Sequence, residues 1–411
     1  MDKIDEKSFP SGEDEQRMFF ERQREFSFKL LETMNKCKKR DNLILSSYSI
    51  DRVLLMTYFD ASNKTKRSLE KLLYLKNVDK ETVARSFRSK PNDDQHVEFV
   101  CADKSFVSNN IELNGPIKNL FKEDVGAYIE RMDFINPENS RIAINNFIEN
   151  TTKHEIKNMI EPGIINQSSA MVLVNAAYFK AFWMQPFAPH KTKTEVFHGL
   201  KDTMVDMMHK GCSYAHYTVN YSMQFKALRL AFHDSGDFSM YYFLPFTIIS
   251  NIDIFLSRFS RENFDKTEEK LNNMEYVDIK LPKMSFEQSF DMIEILKKMG
   301  VKHFFCGDPT DFSDFTTSDL GVDSAFHSAK IEVNENGTTA AASTVQLLFH
   351  YCKNPINSFF VIIPLGTIMI KRLRSYTSNP PTFHCNLPFV FVIHDKQRNA
   401  ILFSGIYRGP N

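Results

Sequence analysis

Residues 330–352 read KIEVNENGTTAAASTVQLLFHYC, and the fold turns on what this stretch can do. From Lys330 to Glu335 the chain alternates, with Ile331 and Val333 on one face and Glu332 on the other, the period-two pattern of a half-buried strand. Gly337 breaks the pattern. After it Thr338, Thr339, Ala340, Ala341, Ala342, Ser343, Thr344 and Val345 bring neither charge nor bulk. Two conformations suit such a run. It could open a helix, with Thr338 or Thr339 as N-cap and the alanines in the first turn. It could also slide as a strand between two strands of an existing sheet, because small side chains pass where Leu or Lys would jam. These residues alone favour the helix start, and the wider sequence decides.

The rest of the chain narrows the choice. Its 411 residues allow two domains or one large one, and a hydrophobic content of 42% supplies a sizeable core. Lys+Arg and Asp+Glu both number 51, so no net field draws the protein to nucleic acid or to an anionic membrane. The basic run Lys36 to Arg40 reads as solvated surface. Six cysteines (Cys37, Cys101, Cys212, Cys306, Cys352, Cys385) form no C-x-x-C pair, which argues against a zinc cluster or a redox motif; most are expected to be buried thiols, Cys352 excepted. There is no G-x-S-x-G, phosphate-binding glycine loop, His-Glu metal helix or repeat, so neither an enzyme nor a cofactor is expected. Residues 1–15 are charged and read as a disordered leader without the apolar core of a secretion signal. Five N-x-[ST] sequons (Asn63, Asn150, Asn166, Asn220, Asn336) point the other way, toward the extracellular space.

Apolar spacing predicts a first helix over Met18 to Met34, a short strand feeding a helix over Asn42 to Ile50, and strands at Phe99 to Phe106 and Tyr128 to Phe134 with a helix at Ile117 to Phe121 between them. A helix is predicted over Ile142 to Ile160. Met171 to Phe179 is a continuous apolar run, a strand buried on both faces, interrupted only by Asn175. A buried Asn costs about 1 to 3 kcal/mol unless its amide is bonded, so Asn175 needs partners. Strands joined by a His233 to Asp237 turn follow over Tyr217 to Leu244, then a helix at Ile252 to Glu269 and a strand at Met274 to Pro282. A helix at Asp291 to Met299 is ended by Gly300, and a hairpin joins Phe389 to Ile393 with Ala400 to Gly405.

The Glu335-x-Gly337-Thr338-x-Ala-Ala-Ala-Ser343 run, followed by LPFVFVIHDKQRNAILFSGIYRGP at 387–410, closely resembles the serpin family. LILSSYSIDRVLLMTYFDAS, RIAINNFIENTTKHEIKNMI, MVLVNAAYFKAFWMQPFAPHKTKTEVFH and KMSFEQSFDMIEILKKMGVKHFF are similar to further serpin blocks, so the resemblance runs from about Phe19 to Pro410. It implies an α+β fold in one domain over 16–411, with three β-sheets, eight or nine helices and an exposed reactive-centre loop over 337–382. The implied function is inhibition of a serine endopeptidase by a loop that is cut and then inserted into the main sheet. The other reading is a non-inhibitory serpin-fold binding or carrier protein whose loop is only a substrate. Glu335, Gly337, Thr338, Thr339, Ala340, Ala341, Ala342 and Ser343 match the family's hinge, although Thr339 stands where inhibitory members usually carry Glu. Ser46, Ser49, Asn175 and His327 match its polar shutter, and Trp183 its breach, where the hinge first enters the sheet. Ser47, Phe147 and Ala181 replace the usual Pro, Trp and Gly. Family habit favours the extracellular space and the charged leader a cytoplasmic life; a glycan on Asn336 would obstruct insertion.

The loop is long. Gly337 and Pro388 lie 51 positions apart, about twice the family's usual spacing. The excess contains SFFVIIPLGTIMIKRLRSY, whose apolar part Phe359 to Ile370 is too short and too broken by Pro364 and Gly366 for a membrane helix of ~20 residues. It reads as two short strands about that turn, packed on the body or self-associating through 359–373, or else as a mis-joined gene segment. Counting forward from the hinge puts the reactive bond at Tyr351-Cys352, with Phe349 and Lys353 as alternative anchors. Counting back from Pro388 puts it at Thr377-Ser378, near Arg374. Tyr351 favours a chymotrypsin-like serine protease as partner, with trypsin-like and cysteine proteases as alternatives.

Overall fold

Strand β4 (Met171–Phe182) is the axis of the molecule, and its sequence explains why. Val172, Val174 and Ala176 point into a cluster with Ile144 and Ile148. Leu173, Ala177, Phe179 and Ala181 point the other way, into the two larger cores. A strand covered on both faces needs no polar alternation, hence the continuous apolar run.

The computed structural model describes residues 12–75, 83, 97–112, 129–233, 237–246, 251–302, 312, 316, 325–338 and 380–410. In chain order the helices are α1 (Gly12–Cys37), α2 (Ser47–Asp60), α3 (Asn63–Leu72), α4 (Pro137–Thr151), α5 (Asn251–Arg258), α6 (Arg261–Lys270) and α7 (Ile293–Lys298). The strands are β1 (Leu43–Leu45), β2 (Val97–Ser108), β3 (Ile129–Met132), β4, β5 (Lys193–His198), β6 (Asp202–Asn220), β7 (Phe225–Ala231), β8 (Phe238–Pro245), β9 (Met274–Pro282), β10 (Met284–Asp291), β11 (Ala325–Asn334), β12 (Gly337–Thr338), β13 (Thr382–His384), β14 (Phe389–Asp395) and β15 (Ala400–Tyr407). The main sheet has the order β10-β11-β12-β4-β2-β3. A second, nine-stranded sheet runs β1-β15-β14-β8-β7-β6-β9-β13, with β5 on β6.

Where three sheets are expected, hydrogen bonding among the described residues joins the strands into two. The reason is β6, whose 19 residues bend at a bulge between His209 and Gly211. Its first part pairs with β5, its middle with β9 and its last part with β7, so one strand stitches two otherwise separate layers.

Several boundaries differ from those the sequence suggests. Helix α1 begins at Gly12, inside the stretch read as a disordered leader. The helix predicted over 142–160 starts earlier, at Pro137, capped by the Asn136 side chain on the Asn139 N–H. It stops at Thr151 because Lys153 and His154 turn left-handed, with φ of 53° and 65°. The helix predicted over 252–269 is two helices, since Ser260 adopts an extended conformation and caps α6 through the Asn263 N–H. Among the described cysteines only Cys385 is buried; Cys37 and Cys101 are half-buried and Cys212 is exposed, so the expectation of mostly buried thiols fails. The helix at 117–121 and the pair of strands about Pro364 lie outside the described residues.

Candidate functional site

Gly337 and Thr338 lie between two strands of the main sheet. β11 and β4 run parallel and pair directly from Ala325 and Leu173 to Ala329 and Ala177, and there their ladder stops. Higher up, β12 stands between them. Gly337 and Thr338 pair antiparallel with Asn334 and Val333 on one side and with Phe182 and Ala181 on the other. Tyr178–Lys180 and Lys330–Glu332, between these two zones, do not pair with each other, so the sheet is split there. Of the two conformations open to this run, the described part takes the strand.

Gly337 is required by that position. Its φ is +156°, and a β-carbon there would stand 2.1 Å from the Ala181 carbonyl oxygen and 2.7 Å from the Phe182 α-carbon. Thr338 is 0% exposed, and its hydroxyl has no hydrogen-bond partner. Before it, Glu335 is fixed by Lys283 at 2.8 Å and by the Thr192 hydroxyl, which donates at 2.7 Å. Burial pushes the Glu335 carboxyl up, but these partners outweigh it and hold its pKa below the usual value.

Trp183 closes the top of the split. Its indole N–H donates to the Asn334 carbonyl at 3.0 Å and its backbone N–H to the Asn336 carbonyl at 2.8 Å. The ring stacks on Phe232 with centroids 4.6 Å apart.

Below the split a buried polar chain crosses from α2 to β11. The Ser46 N–H donates to His327 Nε2 at 3.1 Å. His327 Nδ1 bonds the Asn175 carbonyl oxygen, so the histidine is the neutral Nδ1–H tautomer. The Asn175 amide donates to Ser49 Oγ and to Asp103 Oδ1, the latter at 2.8 Å. Ser49 Oγ donates to Asp103 Oδ1 at 2.6 Å, and Arg52 Nε reaches Asp103 Oδ2 at 3.3 Å. The structure thus brings Ser46, Ser49, Asn175 and His327 into one network and supplies the partners Asn175 needs. It adds Asp103 and Arg52, which sequence reasoning missed. A signal for Asp103 was present: Phe99, Cys101, Asp103, Ser105 and Val107 share one strand face, and Asp103 is the single charge on it.

Thr339 to Ser343, both candidate reactive bonds (Tyr351-Cys352 and Thr377-Ser378), and Phe349, Lys353 and Arg374 lie outside the described residues.

Residues 21–410 match the family described as Serpin (serine protease inhibitor). The chain belongs to the serpin family. Serine protease inhibitor 88Ea of Drosophila melanogaster is 29% identical over 97% of this chain and 92% of that protein. Human Serpin B3 is 30% identical over 94% of this chain and 97% of its own. Human thyroxine-binding globulin, solved with thyroxine bound, superposes with a TM-score of 0.79 over 97% of this serpin and 100% of that chain, at 22% identity, a likeness of fold.

The buried network gives this serpin an unusual proton balance. Burial raises the Asp103 pKa to about 6, against the pull of Arg52, Ser49 and Asn175, while burial alone lowers that of His327 to about 3. Between the unfolded Asp value of ~3.9 and about 6, folded Asp103 holds a proton that the unfolded chain lacks, so acidification stabilises. Between about 3 and the unfolded His value of ~6.5, the unfolded chain holds the proton that folded His327 refuses, so acidification destabilises. The two slopes, ~1.4 kcal/mol per pH unit each, oppose one another. Asp103→Asn leaves only the histidine slope. Its stability relative to the parent is expected to fall by about 3 kcal/mol from pH 6 to pH 4, read from denaturation midpoints of both proteins. Parallel pH profiles for the two proteins would contradict this.

Proposed function

We propose that this serpin inhibits a serine endopeptidase as a suicide substrate. A protease cuts the loop through an acyl-enzyme, and the freed hinge continues into the main sheet and carries the protease with it. The observation that carries this reading is β12: Gly337 and Thr338 already occupy the entrance between β11 and β4, directly above residues of those strands that do not pair with each other. Thr338 is followed by Thr339, Ala340, Ala341, Ala342 and Ser343, all small enough to follow it. In this reading Ser46, Ser49, Asn175 and His327 act as the shutter that holds the lower sheet closed, with Asp103 as a fifth member, and Trp183 guards the breach. An acyl-enzyme displaced by ~1 Å loses about 100-fold in rate, so a distorted protease cannot release its ester.

Loop length favours one reactive bond over the other. A globule of this length has a diameter of about 55 Å. At ~3.3 Å per residue, the stretch from Gly337 to Tyr351 spans ~46 Å, close to one crossing of the body, whereas Gly337 to Thr377 spans ~130 Å and would leave a slack tether. Cleavage at Tyr351-Cys352 therefore traps, and cleavage at Arg374 or Thr377 releases an undamaged enzyme. The test is incubation with chymotrypsin and with trypsin, denaturing gels, and mass spectrometry of the C-terminal fragment freed from the trapped complex. A band stable to denaturation, whose fragment begins at Cys352, is the expected result. A fragment beginning at Ser375 or Ser378 overturns the register, and cleavage without any stable band overturns inhibition.

The second reading is a binding or carrier protein. Thr339, in place of the usual Glu, favours it, as does the likeness of fold to a thyroxine-bound globulin. Rapid cleavage with no covalent band for either protease is its signature.

A further inference from the structure

Beside the breach, with Trp183 in its wall, lies a cavity of about 80 Å³. Such a volume holds several waters or a small oxyanion. Its walls include Trp183, Gln185, Lys210, Ser213, His216 and Arg229, and no Asp or Glu lines it. Lys210 donates to the Gln185 carbonyl at 2.6 Å and lies 5.2 Å from the centre of the Phe187 ring. An ammonium has three donors, and this is the one hydrogen bond Lys210 makes among the described residues. Burial, unopposed by any carboxylate, lowers its pKa to about 8. Arg229 is 8% exposed, and its Nη1 has no hydrogen-bond partner; the Ser213 hydroxyl also has none. The guanidinium acts on the Tyr241 hydroxyl, but the carboxylate in that direction, Glu268, is engaged by the same hydroxyl at 2.7 Å. An unsatisfied buried donor is costly, and Arg229 Nη1 and the Ser213 hydroxyl are two of them.

The mouth of the cavity is apolar. Tyr214 is 64% exposed and Met274 51% exposed, and Tyr214 packs against Tyr276 with ring centroids 5.4 Å apart. Soluble proteins seldom leave such side chains together in water without use. Cationic donors inside and aromatic and thioether surface outside fit one kind of molecule.

We propose that this cavity binds an oxyanion carried on an aromatic ring, an aryl carboxylate, sulfate or sulfonate, with the anionic head between Lys210 and Arg229 and the ring against Tyr214 and Met274. Because Trp183 forms one wall and its indole N–H also holds the Asn334 carbonyl, the occupant and the hinge share a residue.

Trp183 is the sole tryptophan, so its emission reports the site directly. The full-length protein is titrated with 4-methylbenzenesulfonate and, separately, with the neutral 4-methylbenzenesulfonamide, by tryptophan fluorescence and by calorimetry. The sulfonate is expected to change Trp183 emission saturably and to bind at least about tenfold more tightly than the sulfonamide, the worth of a charge-assisted hydrogen bond. Lys210→Gln, at a partly exposed position that tolerates the change, is expected to weaken the sulfonate about tenfold and leave the sulfonamide unchanged. Arg229→Met should do the same. Sulfonate affinity in the parent should also decline as pH rises through about 8, the range in which Lys210 loses its proton. No saturable change with the sulfonate, equal affinity for the two probes, or a sulfonate affinity that Lys210→Gln and Arg229→Met leave intact would each overturn the assignment.

Discussion

In the proposed mechanism, Thr338→Arg is expected to leave a plain substrate: chymotrypsin still cleaves the loop, and the covalent complex disappears from denaturing gels. The position decides the effect. Thr338 is fully enclosed between Val333 and Ala181 and heads the segment that the proposed mechanism carries into the sheet. A guanidinium buried there without a partner costs several kcal/mol, so in the variant residue 338 leaves the sheet of the intact protein and re-entry after cleavage meets that cost. At ~1.4 kcal/mol per factor of ten in rate, that slows insertion by about a thousandfold, and the acyl-enzyme hydrolyses first. Cleavage itself is a local event at the protease and is left unchanged. Equal trapping by the variant and the parent would remove insertion from the mechanism.

The second large effect concerns stability. Cleavage near Tyr351 is expected to raise the midpoint of thermal unfolding by tens of degrees. Tyr178–Lys180 and Lys330–Glu332 pair outward with β2 and β10 but not with each other, which is where a strand continuing from β12 would be received in the proposed mechanism. Each inserted residue adds ladder hydrogen bonds at ~0.5 to 1.5 kcal/mol, so about a dozen residues give a drive of order 10 kcal/mol. For a domain of this size each kcal/mol moves the midpoint by ~2 to 4 °C. Calorimetry before and after clean cleavage reads the shift.

Much of this fold was legible in the sequence because its elements carry strong local signals. The apolar run of β4, the alternation of β11, the β9 strand with its Pro282 end and the C′ glycine at Gly300, whose φ is 104°, all follow from period and turn chemistry. Boundaries set by single backbone angles were not legible: nothing in the composition of Lys153 and His154 announces that both turn left-handed and end α4. The continuity of β6 was hidden for a related reason, since a bulge leaves no composition mark beyond one glycine, Gly211.

The site divides in the same way. Asn175 declared itself as a lone polar residue in an apolar strand, and the family resemblance paired it with His327, Ser46 and Ser49. Asp103 stayed hidden because CADKSF reads as a strand with ordinary charges, and only the pairing of β2 with β4 places Asp103 opposite Asn175. Lys283, the partner of Glu335, is likewise far away in sequence and adjacent only once β11 and the turn after it are in place. The cationic cavity was invisible, being assembled from the connection after β4 and from β6, β7 and β9.

In the proposed mechanism cleavage carries the residues after Thr338 further between β4 and β11, and backbone hydrogen exchange at the split reports that step. Exchange is followed in peptides covering Tyr178–Lys180 and Lys330–Glu332, first in the intact protein and then after cleavage near Tyr351. Amides that gain a strand partner exchange only when the sheet opens, so both segments are expected to become strongly protected on cleavage while β14 and β15 stay as they were. Unchanged exchange at Tyr178–Lys180 and Lys330–Glu332 after complete cleavage would contradict it.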